Sequence, residues 1–300
     1  MLFAPPPVVR AEVFARLPDA LRVRQNPVVR NGIVRDSLLE GPAFDVHGNL
    51  WCVDMVYGRI FRIDAHGHFE LVTQYEGHPN GLKLNASGQI IIADHSRGLL
   101  TLDATNGRME TMLAGYAGEP FRGLNDLHFA SSGDLYFTDQ GSSGMEGPAG
   151  RVFCLRTDGR LDLLLDHAPS PNGIALGADE KTLFVAMTRA NAVWSIPLAM
   201  VTHGRARRVG VFIQLSGGTG PDGLAVSEEG HLLVAHVGMG AVWVFNHIGV
   251  PVMRIETPTG LGTTNLAFGG KDDRTLFITE SASGTILQVE MPFAGRKLIS

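Results

Sequence analysis

The 300-residue chain contains 44% hydrophobic and 18% charged residues, a composition that permits a large buried core and excludes an intrinsically disordered protein. Its formal net charge of −5 and its lack of long Lys/Arg runs argue against nucleic-acid binding. No apolar run approaches the roughly 20 residues of a membrane helix, and residues 1–10 lack the basic and apolar regions of a signal peptide. We therefore expect a cytoplasmic protein that does not associate with a membrane.

The chain begins with one predicted strand at 11–17, and an irregular segment rich in Arg, Asn and Pro is predicted at 18–39. Six similar units follow. Each has a short apolar strand, a turn marked by Gly or Asp, a second strand and then a third. A Gly/Ser-rich loop at 141–150 is the one sizeable interruption. Short β-rich runs with almost no helical periodicity predict an all-β fold.

An oxygen-bearing residue stands at the start of each unit. Successive ones are separated by 40, 45, 47, 50 and 42 positions, and they are Glu40, Asn80, Asn125, Asn172, Asp222 and Thr264. Units of this length with three or four strands predict a six-bladed β-propeller. The last unit has only three clear strands, so we expect the strand at 11–17 to complete it and close the ring. The prediction is a single propeller domain over residues 1–300.

These six residues are expected to surround one site. The innermost strands of a propeller run in the same direction along a central channel, so their first residues converge on one mouth. The second strands return to that mouth and end in a wider ring, formed by Asp54, Asp94, Asp139, Met187, His236 and Glu280. The inner ring has two carboxylates, three amides and a hydroxyl, and such oxygen ligands favour Ca²⁺, Mg²⁺ or Mn²⁺ over Zn²⁺. A turn preference alone explains Asn-Gly and Asp-Gly but leaves Glu40 unexplained.

The motifs LLEGPAFD, PNGL, NDLHF, SPNGIAL, GPDGLAV and TTNLAFGG, in this order over residues 36–290, resemble those of the regucalcin/gluconolactonase family of six-bladed propeller hydrolases. The resemblance implies one divalent cation, with Ca²⁺ expected first and Mn²⁺, Zn²⁺, Mg²⁺ or Fe²⁺ as alternatives. It implies that Glu40, Asn172 and Asp222 bind this cation, with Asn125 as a fourth ligand or a substrate contact. It also implies hydrolysis of a sugar lactone or a related ester, with Asp222 as the general base or nucleophile.

The chemistry of these residues is consistent with that implication. A divalent cation polarises the lactone carbonyl and lowers the pKa of a water molecule, and Asp222 is our choice for the base that takes the proton. Asp139 and His236 in the wider ring are candidate substrate contacts, and so is Arg122 on the loop before Asn125.

The sequence departs from the family at several positions. The substrate-binding arginine of regucalcin lies two residues before the Asn125 position, where this chain has Gly123, with Arg122 next to it. Some relatives bind a second, structural Ca²⁺ through side chains that Ala225 and Ala267 replace here, so we expect that second site to be absent.

Two alternatives to a lactonase stay open. The same site could hydrolyse other esters, such as organophosphate triesters, or the propeller could bind calcium without catalysis. A formal GxGxxG match at 218–223 contains Pro221 and precedes a strand, which argues against a dinucleotide site. The expected partner is a small-molecule lactone or ester, and the sequence does not specify an oligomeric state.

Overall fold

A computed structural model describes residues 5–30 and 32–296 of the chain. It contains six main sheets, and each of them has four antiparallel strands. The innermost strands of the six sheets contact one another in a closed circle. This arrangement is a six-bladed β-propeller around a central channel, as predicted. Blades 1 to 6 are numbered by the order of their innermost strands along the chain.

The strands of the blades follow the same order in every unit. The innermost strands are Leu39–Phe44, Pro79–Leu84, Leu124–Phe129, Pro171–Leu176, Gly220–Val226 and Thr263–Gly269. The second strands are Leu50–Asp54, Ile90–Asp94, Leu135–Asp139, Thr182–Met187, Leu232–Val237 and Thr275–Glu280. The third strands are Arg59–Ile63, Gly98–Asp103, Gly150–Leu155, Ala192–Pro197, Ala241–Phe245 and Thr285–Glu290. The outermost strands are Phe69–Gln74, Arg108–Leu113, Leu161–Ala168, Gly210–Gln214, Pro251–Glu256 and, for blade 6, Glu12–Arg16.

The start of the chain closes the ring. Glu12–Arg16 pairs antiparallel with Thr285–Glu290 and is the fourth strand of blade 6, which confirms the role predicted for 11–17. An additional strand that the sequence did not predict, Val8–Arg10, pairs parallel with Pro251–Glu256 at the outer edge of blade 5. The first strands thus bind the edges of the last two blades.

The remaining elements are short. Three two-stranded ribbons pair Val28–Arg30 with Ile33–Arg35, Gly115–Tyr116 with Glu119–Pro120, and Val201–Thr202 with Arg205–Ala206. Single 3₁₀ turns lie at Asp19–Leu21, Met55–Tyr57, Thr188–Ala190 and Leu198–Met200. Within the described ranges, no helix combines the length and hydropathy needed to cross a membrane.

The core is divided among the contacts between adjacent blades. The described residues form six buried hydrophobic clusters, and each one joins the facing sides of two neighbouring blades. Alternate side chains of one strand therefore point to opposite clusters: Ile90 and Ile92 pack toward blade 1, whereas Ile91 and Ala93 pack toward blade 3. Burial on both faces explains why the inner strands are apolar without alternation.

Candidate functional site

Each innermost strand begins with an irregularity in its pairing to the second strand. The residues skipped by regular pairing include Asn80, Asn125, Asn172, Asp222 and Thr264. A bulge releases a side chain from the alternation of the strand and can turn it toward a site. The repeated bulge therefore accounts for five of the six polar side chains at this end of strands that are otherwise apolar, and Glu40, which pairs with Val53, directly precedes the bulge of its own strand.

All six predicted ring residues lie at this end of the channel, and each is buried. Their exposed fractions range from 5% to 8%, in the set Glu40, Asn80, Asn125, Asn172, Asp222 and Thr264. Thr264 uses its hydroxyl to bond the carbonyl oxygen of Leu39 at 3.0 Å, which ties blade 6 to blade 1. The ring is thus a buried collar of polar groups.

Glycine follows the ring residue in four blades, at positions 41, 81, 173 and 223. A β-carbon on Gly41 would lie 2.4 Å from the carbonyl oxygen of Asn80, and one on Gly173 would lie 2.2 Å from that of Asp222. Of the four glycines, only Gly41 has a positive φ, of 54°. Turn preference therefore applies to one position at most, and the close approach of adjacent blades requires glycine at the others.

The two acids of the ring interact with each other and with a third buried acid, Asp126. Burial, followed by the charge of Asp126, raises the pKa of Asp222 to about 8, and a hydrogen bond from Asn172 offsets part of this rise. The pKa of Glu40 is raised well above its usual value by burial first, then by the charges of Asp222 and Asp126. The mouth therefore groups three buried acids, and their proximity disfavours the charged forms of Glu40 and Asp222.

Sequence reasoning missed Asp126. It is 2% exposed, and it occupies the position after the ring residue where four other blades have glycine. That break in the glycine pattern was the signal available in the sequence. Lys83 provides a positive charge that lowers the pKa of Asp126, although burial dominates and the net shift is upward.

The amide groups of two ring residues are oriented by neighbouring side chains. Nδ2 of Asn172 donates to Oγ1 of Thr188 at 3.2 Å, and Nδ2 of Asn125 donates to Oε1 of Gln140 at 3.1 Å. Oδ1 of Asn172 is buried and has no hydrogen-bond partner among the described residues. Such an orphaned oxygen is costly to bury, and a bound cation would satisfy it.

These observations fit a hard divalent cation at the mouth. The available donors are the Glu40 and Asp222 carboxylates and the Asn172 amide oxygen, which are the ligand types that Ca²⁺ and Mg²⁺ accept. Among residues 5–30 and 32–296, no three His, Cys, Asp or Glu side chains form a ligand cluster. A cation at this mouth would therefore need amide oxygens in addition to the two acids.

Asp139 is fully buried in blade 3, and both carboxylate oxygens have partners. Oδ1 accepts the Gly123 N–H at 2.8 Å, and Oδ2 accepts Nε of Arg151 at 2.7 Å. Acids also end the second strands of blades 1, 2 and 6. Each accepts a hydrogen bond from the backbone N–H of the residue just before the innermost strand of the same blade, in the pairs Asp54–Leu38, Asp94–His78 and Glu280–Gly262. These bonds stabilise the mouth, and a substrate contact by Asp139 stays a prediction.

The hydrogen-bond partners found for Arg122 and His236 lie outside the set of ring residues. Arg122 donates from its guanidinium to the carbonyl oxygen of Ala149, so it holds the loop at 141–150. His236 is fully buried, with Nε2 3.0 Å from the carbonyl oxygen of Gly217, and burial lowers its pKa. Their substrate roles also stay predictions.

The opposite end of the channel is occupied by the C-terminal segment. Arg296 bonds Glu180, and its Nη1 lies 3.3 Å from Nε2 of His128 and 3.4 Å from the carbonyl oxygen of Leu176. Burial, then the charges of Arg296 and Lys83, lowers the pKa of His128 to about 3. The polar collar therefore lies at the end of the channel away from this C-terminal segment.

Comparison with known proteins agrees with this architecture. The chain is 33% identical over 227 residues to the gluconolactonase of Zymomonas mobilis subsp. mobilis, covering 70% of this chain and 62% of that protein. It is 31% identical over 243 residues to the lactonase drp35 of Staphylococcus aureus, covering 73% of this chain and 70% of the relative. The matched region is thus less than two thirds of the first relative's length.

Structural similarity is more extensive. The calcium-binding protein regucalcin of Agrobacterium tumefaciens superposes with a TM-score of 0.77 at 23% identity, over 98% of this chain and 97% of that one. At that identity the likeness establishes the fold. The family model described as SMP-30/Gluconolactonase/LRE-like region matches residues 38–282, a range that contains all six innermost strands and every residue of the polar collar. The chain therefore belongs to the SMP-30/Gluconolactonase/LRE-like family.

Proposed function

We propose that this protein hydrolyses a sugar lactone at a divalent cation bound in the polar collar. One observation carries the proposal: two buried carboxylates, Glu40 and Asp222, lie close enough to raise the pKa of Glu40, beside an amide oxygen of Asn172 without a partner. The named activities of the gluconolactonase and lactonase relatives support lactones as the substrate class.

The proposed ligands are Glu40, Asn172 and Asp222, with Asn125 as a fourth ligand or a substrate contact. Ca²⁺ is our first choice because all the donors are oxygen atoms, some from charged carboxylates and some from neutral amides. When bound, the cation supplies a Lewis acid that polarises the lactone carbonyl. The acids supply the countercharge for it, and the hydrogen bonds that Asn172 and Asn125 donate to Thr188 and Gln140 fix the two amides in place.

Asp222 is the proposed general base. Its carboxylate takes a proton from the water whose oxygen attacks the carbonyl carbon, and it returns that proton to the ring oxygen as the ester C–O bond breaks. The products are the open hydroxy acid and the regenerated carboxylate. Burial of Asp222, which is 8% exposed, keeps bulk water away from this proton transfer.

The test removes divalent ions with a chelator and restores Ca²⁺, Mn²⁺, Zn²⁺, Mg²⁺ or Fe²⁺ singly. Acid release is then followed on a panel of aldonolactones, aryl esters and an organophosphate triester. We expect metal-dependent opening of at least one aldonolactone. Turnover of the aryl esters or the organophosphate alone would indicate a hydrolase of those esters. Ca²⁺ binding without turnover would favour a calcium-binding propeller that is not an enzyme.

Ligand variants separate binding from chemistry. Calorimetry should detect loss of cation binding in Glu40→Gln and Asn172→Ala. Asn80→Ala is the matched control, because Asn80 is equally buried at 6% on the same collar but is outside the proposed ligand set. Undiminished turnover in Asp222→Asn would remove Asp222 as the base.

A further inference from the structure

Three buried threonine hydroxyls donate across blade borders to backbone carbonyl oxygens at the polar collar. Oγ1 of Thr138 in blade 3 donates to the carbonyl oxygen of Asn172 in blade 4 at 2.7 Å. Oγ1 of Thr188 in blade 4 donates to that of Pro221 in blade 5, also at 2.7 Å. Thr264 of blade 6 donates in the same way to blade 1 at 3.0 Å. The three threonines are 0%, 7% and 6% exposed, so these bonds are shielded from bulk water.

The acceptors of these bonds coincide with the proposed cation ligands. Asn172 is itself a ligand, and Pro221 directly precedes Asp222. Leu39, the acceptor in blade 1, directly precedes Glu40. The three threonines hold different positions in their blades: one in a second strand, one just after a second strand and one in an innermost strand. The sequence repeat therefore does not explain their shared contact, whereas a shared role at the ligands does.

Thr188 links two ligands through one hydroxyl. A proline carbonyl can only accept, so the hydroxyl hydrogen of Thr188 is used on Pro221. The oxygen of the same hydroxyl accepts Nδ2 of Asn172 at 3.2 Å. The amide of Asn172 therefore turns its Oδ1 away from Thr188, and this is the buried oxygen without a partner among the described residues. One hydroxyl thus orients the ligand of blade 4 and holds the residue before Asp222 in blade 5.

Thr138 extends this chain of hydrogen bonds to blade 3. Its Oγ1 accepts the N–H of Asp126 at 3.0 Å and donates to the carbonyl oxygen of Asn172. The bonded backbone groups lie at or beside the bulges of the innermost strands, where regular pairing is interrupted. Buried backbone groups need hydrogen-bond partners, and here the hydroxyls supply them. The backbone of Asn172 is thus held from blade 3, while its side chain is held by Thr188.

We propose that Thr138, Thr188 and Thr264 are positioning residues of the cation site, a role that rests on the proposed function. Their hydroxyls hold the three ligand-bearing strand ends at one spacing across the blade borders. The ligands are in place before a cation binds, so binding requires little further ordering. Without the hydroxyl, a buried carbonyl oxygen loses its partner and the ligand beside it can shift.

The experiment compares valine and serine at position 188 by calorimetry with Ca²⁺. Thr188→Val keeps the shape of the side chain and removes the hydroxyl, whereas Thr188→Ser keeps the hydroxyl and removes a methyl group. We expect Ca²⁺ affinity to fall about 10- to 100-fold in Thr188→Val, the usual effect of removing a group that orients a metal ligand. Thr188→Ser should retain most of the wild-type affinity. Thr138→Val and Thr264→Val should also weaken binding.

Thr263→Val is the matched control. Thr263 is fully buried in blade 6 at the same mouth, and its hydroxyl donates across a blade border to the carbonyl oxygen of His236 at 3.0 Å. His236 is neither a proposed ligand nor next to one in the chain. Urea denaturation in chelator should show that Thr263→Val and Thr188→Val both lower stability, and calorimetry should show that Thr263→Val keeps the wild-type Ca²⁺ affinity.

The outcomes separate the two proposals. If Thr188→Val and Thr263→Val have equal Ca²⁺ affinities, whether unchanged or reduced, the hydroxyls are only structural and this inference is overturned. It is also overturned if Thr188→Ser binds Ca²⁺ as weakly as Thr188→Val. If the wild type binds no divalent cation, the proposed function and this inference fail together. If the wild type binds Ca²⁺ but opens no lactone, only the proposed function fails, and the loss of affinity in Thr188→Val still supports the positioning role.

Discussion

Asn265 and Asp126 meet across the central channel, where Nδ2 of Asn265 lies 3.5 Å from Oδ2 of Asp126. They belong to blades 6 and 3, which are opposite in the ring, and they are 139 positions apart in the chain. Both stand one residue after a collar position. In the other blades this position is glycine. Asn265 and Asp126 therefore place an amide and a carboxyl group below the collar.

The charge of Asp126 should affect the cation site. Asp126→Asn removes a negative charge that raises the pKa of both Glu40 and Asp222, so we expect the pKa of each to fall. Ca²⁺ affinity should weaken by about tenfold, equivalent to ~1.4 kcal/mol. Calorimetry measures the affinity, and Asp103→Asn, which removes the same charge from an exposed turn, is the control. An unchanged affinity would exclude Asp126 from the electrostatics of the site.

Stability without divalent cations should depend on pH in a defined direction. The folded chain holds the proton of Asp222 up to a pKa of about 8, whereas the unfolded chain loses it near 3.8. The folded state therefore binds more protons across this range, and the free energy of unfolding falls as pH rises through it. Urea denaturation in chelator between about pH 6.5 and 8.5 measures this decline, and comparison with Asp222→Asn separates it from the titration of histidines, whose ordinary pKa of about 6.5 lies at the lower edge of that window.

Two further measurements test that explanation. The decline of stability with pH should be smaller in Asp222→Asn, and saturating Ca²⁺ should abolish most of it because the cation replaces the protons. Apparent Ca²⁺ affinity should rise over the same window. Stability that increased with pH in chelator would contradict the raised pKa.

Glycine at the collar should be essential for packing. We expect Gly173→Ala to destabilise the protein by about 1–3 kcal/mol or more, because the new β-carbon would meet a backbone oxygen that cannot rotate away. Gly177→Ala is the matched control four residues later, where the closest atom is 3.5 Å away. Equal midpoints of urea denaturation for the two variants would contradict the close-approach explanation.

Closure of the ring can be tested at Leu17, which is 2% exposed and packs between blades 6 and 1. Leu17→Ala should lower the free energy of unfolding by about 2–5 kcal/mol, the usual cost of truncating a buried leucine. Val29→Ala, at a residue that is 63% exposed, should change it by less than about 0.5 kcal/mol. A small effect at Leu17 would show that the start of the chain contributes little to the ring.

The contact between Arg296 and His128, at the end of the channel opposite the collar, should be visible in the titration of His128. Arg296 and Lys83 lower the pKa of this imidazole after the larger effect of burial, so Arg296→Met should raise it while leaving it below the usual value. Histidine-selective NMR follows the titration. His231→Gln gives a variant of a more accessible histidine for assigning the spectra. A pKa of His128 unaffected by the substitution would place Arg296 away from the channel in solution.

The repeat allowed most of the fold to be predicted, because each blade places the same residue types at the same spacing. Val28–Arg30 and Ile33–Arg35 form a two-stranded ribbon. The prediction of an irregular segment over 18–39 was therefore wrong for those residues. An Asn-Gly pair between two valine-rich runs was the hairpin signal there. Val8–Arg10 is three residues long, too short for any alternation to mark it.

Prediction of the site was limited by the same repeat. Counting equivalent positions locates the collar, but it assigns every blade the same geometry. Asp126 departs from the pattern, because it stands where four other blades have glycine. Its contact with Asn265 joins two blades, and periodicity within a blade does not encode such a contact.

Pairing of Glu12–Arg16 with Thr285–Glu290 also constrains how the molecule can form. Glu12–Arg16 leaves the ribosome long before its partner is synthesised, and closing so long a loop is entropically costly and slow. Blades 1 to 4 can therefore assemble in sequence while the amino-terminal segment has no sheet to join. Completion of the ring depends on Thr285–Glu290, so a chain truncated before Thr285 would leave Glu12–Arg16 without its partner strand and free to pair with another molecule.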